Sequence, residues 1–172
     1  ECEPYITSDH RVMLEQTQDV IDGIKILIKA LGLHRGLLAV EENKADVFGV
    51  VQKLLPPDGS IELCRLKTKY PQGAEKQLIY ALTGRQVPSG KLPADAGCAV
   101  FNVDTAATVA RKFKTGMNDV RRIVTVSGSA VAAPKNLEVR VGTPIGQVIE
   151  AAGGFKEDPN KILMGGPMMG VA

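Results

Sequence analysis

In the first part of the chain, apolar residues follow a strand pattern and a helical pattern in alternation. RGLLAVEE (35–42) and SIELCRLK (60–67) are short apolar runs of the kind that form buried parallel strands. Around them, apolar side chains recur at helical spacing over 20–31 and over 47–54. Because strands that alternate with helices belong to layered folds, this pattern predicts an open α/β architecture.

Two further helix patterns and a long loop follow. KYPQGAEKQLIYALTG (69–84) carries a helical apolar stripe and ends at Gly84, the glycine expected just beyond a helix end. DTAATVARKFKTG (104–116) has a basic last turn before its own terminal glycine. The loop between them, 84–98, is rich in proline and glycine. Loops of this length are often functional.

The pattern changes again beyond residue 116. Strand patterns with an apolar and a polar face occupy 121–142, a compact helix pattern follows at 143–154, and 161–170 predicts a short strand with a glycine turn. Strands, a helix and a further strand in so short a segment are typical of a small β-grasp module. We therefore predict two domains, residues 1–118 and 119–172.

Three predicted helices have a candidate N-cap residue. Asn43, Asp104 and Thr143 each lie where the apolar pattern of a helix begins. Their side-chain oxygens can accept a hydrogen bond from the unpaired N–H groups of the first turn. We predict that each caps the helix that follows it.

Composition excludes several classes of function. The 172 residues carry a net charge of +2 without a strongly basic run and contain no tryptophan, so nucleic-acid binding is not expected. No apolar run reaches the roughly 18–20 residues of a membrane-spanning helix, so no direct membrane insertion is expected. Cys2, Cys64 and Cys98 form no C-x-x-C motif, so we predict no disulfide and no metal site in this chain.

The entrance of the helix at 69–84 is a candidate for chemistry. Gly73 and Glu75 precede its apolar stripe, and a glycine there lets a ligand approach backbone N–H groups that have no partner within the helix. The alternative is a loop glycine followed by a solvated glutamate. From these residues alone both interpretations stay open.

Three longer motifs connect the chain to a family. ECEPYITSDHRVMLE (1–15), YPQGAEKQLIYALTGRQVP (70–88) and MGGPMMG (164–170) resemble the C subunit of the Rnf electron-transport complex, and the resemblance covers essentially the whole chain. That family is similar to the flavin- and NADH-binding subunit of respiratory complex I. The resemblance implies a Rossmann-like three-layer flavin domain, present in part, followed by a small β-grasp domain of the soluble-ligand-binding type.

The resemblance also implies cofactor contacts. The complex I motifs NADESEP, GEETALMNSLEG and NNVET are similar to ECEP, GAEKQLIYALTG and FNVDT in this chain, although Ala74 replaces the first glutamate of the GEE run. A lysine in PSGKLP is similar to one that helps hold the dinucleotide. The implied cofactor-binding residues are Glu1, Cys2, Glu3, Gly73, Glu75, Lys91, Asn102 and Thr105.

The implied function is electron transfer. The chain resembles part of a subunit that exchanges electrons between NAD(H), FMN and iron–sulfur centres in a ferredoxin:NAD oxidoreductase complex. The implied partners are the other subunits and ferredoxin, and the implied location is peripheral, on the cytoplasmic side of a bacterial cell membrane. Because FMN carries the hydride chemistry, no catalytic acid or base is required from the chain.

Two family features are absent from the sequence. The glycine-rich loop of the type GRGGAGFPT is expected before Glu1, and the cysteine-rich region that binds 4Fe–4S clusters is expected after Ala172. A phosphate-cradling loop supplies several charge-assisted hydrogen bonds. We therefore predict that this chain alone binds FMN weakly or not at all and is inactive alone. The alternative function is a non-redox binding or scaffold module that uses the β-grasp domain.

Overall fold

A computed structural model describes residues 2–172, which form two compact units. The central unit contains Cys2 and residues 9–117, and the terminal unit contains residues 3–8 and 118–172. The terminal unit is therefore built from two segments that are far apart in the sequence. The sequence pattern did not predict that grouping of residues 3–8.

The central unit contains five α-helices and two strands among the described residues, and the sequence predicted both strands. The elements in chain order are α1 Ser8–Glu15, α2 Thr17–Ala30, β1 Gly36–Glu41, α3 Ala45–Gln52, β2 Ile61–Leu66, α4 Glu75–Thr83 and α5 Val103–Thr115. Short 3-10 helices cover Glu42–Lys44 and Pro93–Ala96. The alternation of helices and strands confirms a mixed α/β unit.

Strands β1 and β2 pair in parallel. Gly36 lies opposite Ile61 at one end of the pair, and Glu41 lies opposite Leu66 at the other. Leu38 and Val40 of β1 and Ile61 and Leu66 of β2 are buried. Glu62 and Arg65 of β2 are exposed, so β2 is less buried than its apolar run predicted. Parallel pairing brings the carboxyl ends of the two strands to one edge, which is the edge where ligands bind in open α/β sheets.

The closest packing in the central unit joins α2 and α5. Gly23 lies against the backbone of Ala106, where a β-carbon on Gly23 would come within 1.8 Å of the carbonyl oxygen. Ala106, Ala107 and Ala110 are all buried at this contact. Small side chains on both helices therefore let the two backbones approach closely.

The three predicted N-caps are wrong by one or two positions. Asn102 rather than Asp104 caps α5, because the Asn102 side chain accepts a hydrogen bond from the Asp104 N–H at 2.8 Å. The residue at the N-cap of α3 is Lys44, and Asn43 lies in the preceding 3-10 helix. The hydroxyl of Thr143 donates to the Arg140 carbonyl instead of capping the next helix.

The terminal unit contains an antiparallel strand pair and one helix among the described residues. Strand β3, Arg121–Val126, pairs with β4, Lys135–Arg140, and α6 covers Ile145–Ala151. The N-terminal segment joins this pair through Thr7, whose backbone N–H donates to the hydroxyl of Thr125 at 3.1 Å. The predicted short strand at 161–170 is wrong: only an isolated bridge forms there, between Met164 and Val171.

Within residues 2–172, none of the helices is both long enough and apolar enough to span a membrane.

Candidate functional site

The carboxyl edge of β1 and β2 carries a buried ion pair. Glu41, the last residue of β1, and Lys44 are both buried, with Lys44 Nζ 3.1 Å from Glu41 Oε2. The second carboxylate oxygen of Glu41 accepts from the backbone N–H of Lys69 at 3.4 Å. Close by, the backbone N–H of Asn43 donates to the hydroxyl of Thr68 at 3.1 Å. Two hydrogen bonds thus connect the end of β1 to the start of the segment that follows β2.

That segment, residues 67–74, leads directly into α4. Gly73 is exposed in a turn, and α4 begins at Glu75 after a residue with extended backbone, Ala74. In the part of the chain that the structure describes, no side chain caps this helix. Backbone N–H groups of the first turn lack partners within a helix. They are therefore available to an oxygen of a ligand.

Gln72 is a polar residue that the sequence did not single out. Its side chain is 4% exposed, and its Oε1 atom accepts no hydrogen bond from any residue of the described range 2–172. An unpaired buried acceptor is destabilising unless a donor reaches it. No sequence signal distinguishes it, because a glutamine before a glycine is ordinary in a surface turn.

Asn102 and Thr105 lie at the start of α5. The amide of Asn102 is engaged at both ends: its oxygen accepts from the Asp104 N–H at 2.8 Å, and its nitrogen donates to Asp9 at 2.8 Å. Thr105 is exposed on the first turn. The structure therefore gives Asn102 a helix-capping role, and the cofactor contacts of both residues stay predictions.

Lys91 lies in the long loop between α4 and α5. Its backbone N–H donates to the Pro88 carbonyl in a turn, and its side chain is exposed. The loop folds back on itself where the Arg85 guanidinium donates to the carbonyls of Ala96, at 3.1 Å, and Gly97, at 3.3 Å. Lys91 is thus presented at the tip of a closed loop, where its side chain can extend into solvent or toward an anion.

The described site residues of the ECEP motif, Cys2 and Glu3, belong to different units. Glu1 lies outside the described residues. Cys2 groups with the central unit and has a free, half-buried thiol. Glu3 belongs to the terminal unit, where its Oε2 atom accepts from the Met168 N–H at 2.9 Å. Its cofactor contact, like that of Cys2, stays a prediction.

The glycine turn of the MGGPMMG motif encloses the Glu3 carboxylate. A β-carbon on Gly166 would lie 2.2 Å from Glu3 Oε2, so a larger residue there would displace the carboxylate. The other oxygen, Oε1, is buried and receives no hydrogen bond from the rest of the described chain. The sequence motif showed two adjacent glycines, but it did not show what lies against them.

Several ionisable groups of the central unit have displaced pKa values, among them a carboxyl group and a thiol. The hydrogen bond from His10, whose Nε2 lies 2.8 Å from Asp46 Oδ1, lowers the pKa of Asp46. Burial raises the pKa of the Cys64 thiol, which makes it a weaker nucleophile at neutral pH. Across residues 2–172, no three His, Cys, Asp or Glu side chains are grouped so that they could hold a metal ion.

The predicted site residues of the central unit form two sets. Gly73 and Glu75 lie in the segment that follows β2 and at the start of α4, whereas Asn102 and Thr105 lie at the start of α5. Within the described residues, no hydrogen bond joins one set to the other. Both sets place polar groups at the start of a helix, which suits a ligand with anionic and carbonyl oxygens such as FMN. The residues present therefore fit that cofactor.

Comparison with known proteins identifies both parts of the chain. Residues 1–111 match the family model described as the Nuo51 FMN-binding domain, and residues 123–172 match the SLBB domain. A crystal structure of an NAD+-reducing NiFe hydrogenase in the H2-reduced state is similar in fold, with a TM-score of 0.75 over 87% of this chain and 31% of that chain. At 20% sequence identity this similarity concerns the fold alone.

Curated relatives match the chain over almost its whole length. It is 48% identical over 171 residues to the C subunit of the Na(+)-translocating ferredoxin:NAD(+) oxidoreductase complex of Acetobacterium woodii. It is 46% identical over 173 residues to the C subunit of the proton-translocating ferredoxin:NAD(+) oxidoreductase complex of Clostridium ljungdahlii. It is 40% identical over 172 residues to the C subunit of the ion-translocating oxidoreductase complex of Rhodobacter capsulatus.

The match covers 99% or 100% of this chain but only 39%, 37% and 33% of those three relatives. The chain therefore spans little more than a third of their length. These identities confirm the resemblance to the C subunits that the ECEP, GAEKQL and MGGPMMG motifs indicated. The chain belongs to the Nuo51 FMN-binding domain family, followed here by an SLBB domain.

Proposed function

We propose that this chain is the flavin-domain and SLBB-domain part of a subunit that transfers electrons between NAD(H), FMN and iron–sulfur centres in a ferredoxin:NAD oxidoreductase complex. The observation that carries the proposal is the match of residues 1–111 to an FMN-binding domain. The geometry of the described residues supports it, because the segment that starts at the carboxyl edge of the parallel strands leads through an exposed glycine into an uncapped helix.

The finer fold assignment belongs to the same proposal. A Rossmann-like flavin domain is supported by the parallel pair β1–β2 with helices between and around its strands. A β-grasp domain is supported by the antiparallel pair β3–β4 followed by α6. We propose the boundary between residues 118 and 119, with residues 3–8 contributing to the terminal unit of the structure.

FMN, when bound, supplies the chemistry by accepting a hydride and releasing electrons one at a time. The residues of the chain bind and orient it. Gly73 admits the cofactor close to the backbone, and the first turn of α4 offers N–H donors. Glu75 and Thr105 are exposed and can reach polar groups of the cofactor, and the Lys91 ammonium can approach a phosphate.

The names of the relatives support the proposed partners. Those relatives are subunits of ion-translocating complexes, which supports other subunits of a membrane complex as partners and ferredoxin as the electron partner. We propose a peripheral position on the cytoplasmic side of the membrane, and 4Fe–4S clusters in the remaining part of the parent protein.

An FMN titration followed by flavin fluorescence tests the proposal. We expect the full-length parent protein to bind FMN and the 172-residue chain to bind weakly or not at all. In the parent, Glu75→Gln should weaken FMN binding about tenfold, because a hydrogen bond with an ionised partner becomes a weaker neutral one. The matched control is Glu150→Gln, an exposed glutamate on α6.

The two possible failures have different meanings. Micromolar or tighter binding by the 172-residue chain would contradict the expectation that it is an incomplete site. If the parent protein does not bind FMN either, the electron-transfer proposal is overturned. The non-redox scaffold function, carried by the SLBB domain, then remains.

A further inference from the structure

The Glu41–Lys44 pair is unusual because both charged groups are buried. The two side chains are each 9% exposed. Each charged group has two hydrogen-bond partners. Lys44 Nζ donates to Glu41 Oε2 and to Asn43 Oδ1, both at 3.1 Å. Desolvation makes such a pair no more stabilising than two apolar side chains of the same volume. Its presence in the central unit therefore calls for another role.

The geometry connects the pair to the segment that enters α4. With Oε2 held by the ammonium of Lys44, Oε1 of Glu41 faces the backbone N–H of Lys69 at 3.4 Å. The Lys69 carbonyl in turn accepts from the Gln72 N–H at 3.0 Å. A continuous series of contacts thus runs from Lys44 through Glu41 and Lys69 to the residue that precedes Gly73.

The segment has few other contacts that could hold it. Apart from the Glu41 contact, its described hydrogen bond to the end of β1 is the one that the Thr68 hydroxyl accepts from Asn43. Most of its side chains are exposed, and Gln72 is the buried exception. The backbone position of Gly73 therefore depends in part on the orientation of the Glu41 carboxylate, which Lys44 holds through its ammonium.

We propose that Glu41 and Lys44 are positioning residues for segment 67–74, which they hold so that Gly73 and the first turn of α4 face the cofactor. This inference rests on the proposed function in one respect, namely that the segment contacts FMN. The pair does not touch the cofactor itself. Its role is to fix the Lys69 backbone through an acceptor that is oriented by a buried cation.

Two double variants separate this role from ordinary core stability. Glu41→Gln with Lys44→Met removes both charges but keeps a carbonyl oxygen that can accept from the Lys69 N–H. Glu41→Leu with Lys44→Met removes both charges and the acceptor while keeping the volume. The two variants differ only at position 41, where glutamine offers an amide with an acceptor oxygen and leucine does not. Lys114→Met is the matched control, since it breaks another ion pair of the same unit.

The readouts are hydrogen exchange of the peptide that covers 67–78 and FMN binding, both in the full-length parent protein. We expect the leucine variant to exchange about tenfold faster in this peptide and to bind FMN about tenfold more weakly, as loss of a hydrogen bond to a charged group would produce. The glutamine variant should change about threefold in both measurements, because its oxygen can still accept from Lys69 but no buried cation orients it, and Lys114→Met should stay at the wild-type value.

Each outcome is decisive. Unchanged exchange of the 67–78 peptide in the leucine variant, or equal effects in the two double variants, overturns the positioning role. If the leucine variant does not fold, Glu41→Asp provides the same comparison, because it keeps the charge but shortens the reach to Lys69. If the wild-type parent binds no FMN, the proposed function fails, and the exchange measurement still decides whether the pair holds the segment.

Discussion

The two units are stabilised in different ways. In the central unit, buried apolar side chains from helices and strands form a continuous core that includes Ile21, Val40 and Val47. In the terminal unit, only Val131 and Ala152 belong to the buried apolar set of the described residues. Because burial of apolar area is the main favourable term in folding, the terminal unit must depend more on hydrogen bonds and on close backbone contacts.

Several hydrogen bonds of the terminal unit involve its N-terminal segment, residues 3–8. Asn136 accepts from the Thr125 hydroxyl at 2.6 Å and donates to the Thr7 hydroxyl at 3.0 Å. At the other end of the segment, Glu3 accepts from the Met168 N–H. The comparison shows that a short segment can be a structural part of a unit without contributing to an apolar core.

The substitution with the largest expected effect disrupts the core of the central unit. Gly23→Val places a β-carbon within 1.8 Å of the Ala106 carbonyl oxygen, so α2 and α5 must separate. We expect a loss of about 3 kcal/mol in the free energy of unfolding. Urea unfolding followed by hydrogen-exchange mass spectrometry measures it and reports on each unit separately. The loss should be confined to peptides of residues 9–117.

Gly49→Ala is the matched control for that substitution. Gly49 lies within α3, and a β-carbon there meets no atom within 4 Å. Alanine should therefore stabilise the unit by about 0.5–1 kcal/mol through its higher helix propensity. A destabilising effect of the same size as that of Gly23→Val would show that close packing of α2 and α5 is not the cause.

A substitution with a smaller expected effect should destabilise the terminal unit without affecting the central unit. Asn136→Ala removes the hydrogen bonds to Thr7 and Thr125, and we expect the unit to lose about 1 kcal/mol. Exchange of peptides from residues 3–8 and 121–140 should increase, while peptides of the central unit stay unchanged. Asn160→Ala, at an exposed position of the same unit, is the control and should have no measurable effect.

The smallest effect concerns an exposed ion pair of the central unit and depends on pH. Hydrogen bonds to Asp19, at 2.6 Å, and to Asp22, at 2.7 Å, raise the pKa of Lys114, and the same contact lowers the pKa of Asp22. The pair therefore stabilises the fold from about pH 4 to about pH 10.5. This contribution is lost as acid protonates Asp22 and as alkali deprotonates Lys114.

Lys114→Met should cost about 0.5 kcal/mol at neutral pH, because the Lys114 side chain is about half exposed and solvent screens the pair. The difference from wild type should vanish below the folded pKa of Asp22. Unfolding in urea at several pH values measures it. Lys29→Met, an exposed lysine of α2, is the control, and an equal loss there would show that Lys114 acts only through general charge.

Periodicity predicted much of the central unit. The apolar runs around Val40 and Leu63 indicated β1 and β2, and the glycines at 84 and 116 marked the ends of α4 and α5, where both adopt left-handed backbone. The caps were less predictable. Asn102 and Asp104 are two residues apart and both can cap, so only the backbone conformation decides between them.

The family motifs supplied the positions of the candidate site, which stay predictions, but not the contacts that surround them. Family motifs indicated Gly73, Glu75 and Lys91, and these are exposed polar or glycine positions in turns and helix starts. Sequence reasoning did not find the burial of Glu41 and Lys44, since charged residues after a strand ordinarily face solvent. Their burial depends on the segment after β2, which is nearly 30 residues away in the chain.

The split composition of the terminal unit has a consequence for protein synthesis. Residues 3–8 leave the ribosome before residues 9–117, but their partners in β3, β4 and the glycine turn emerge only after residue 117. The central unit can complete its core during that interval, since domains fold as units in the order of translation. The N-terminal segment must therefore wait, unpaired, while more than a hundred residues are translated.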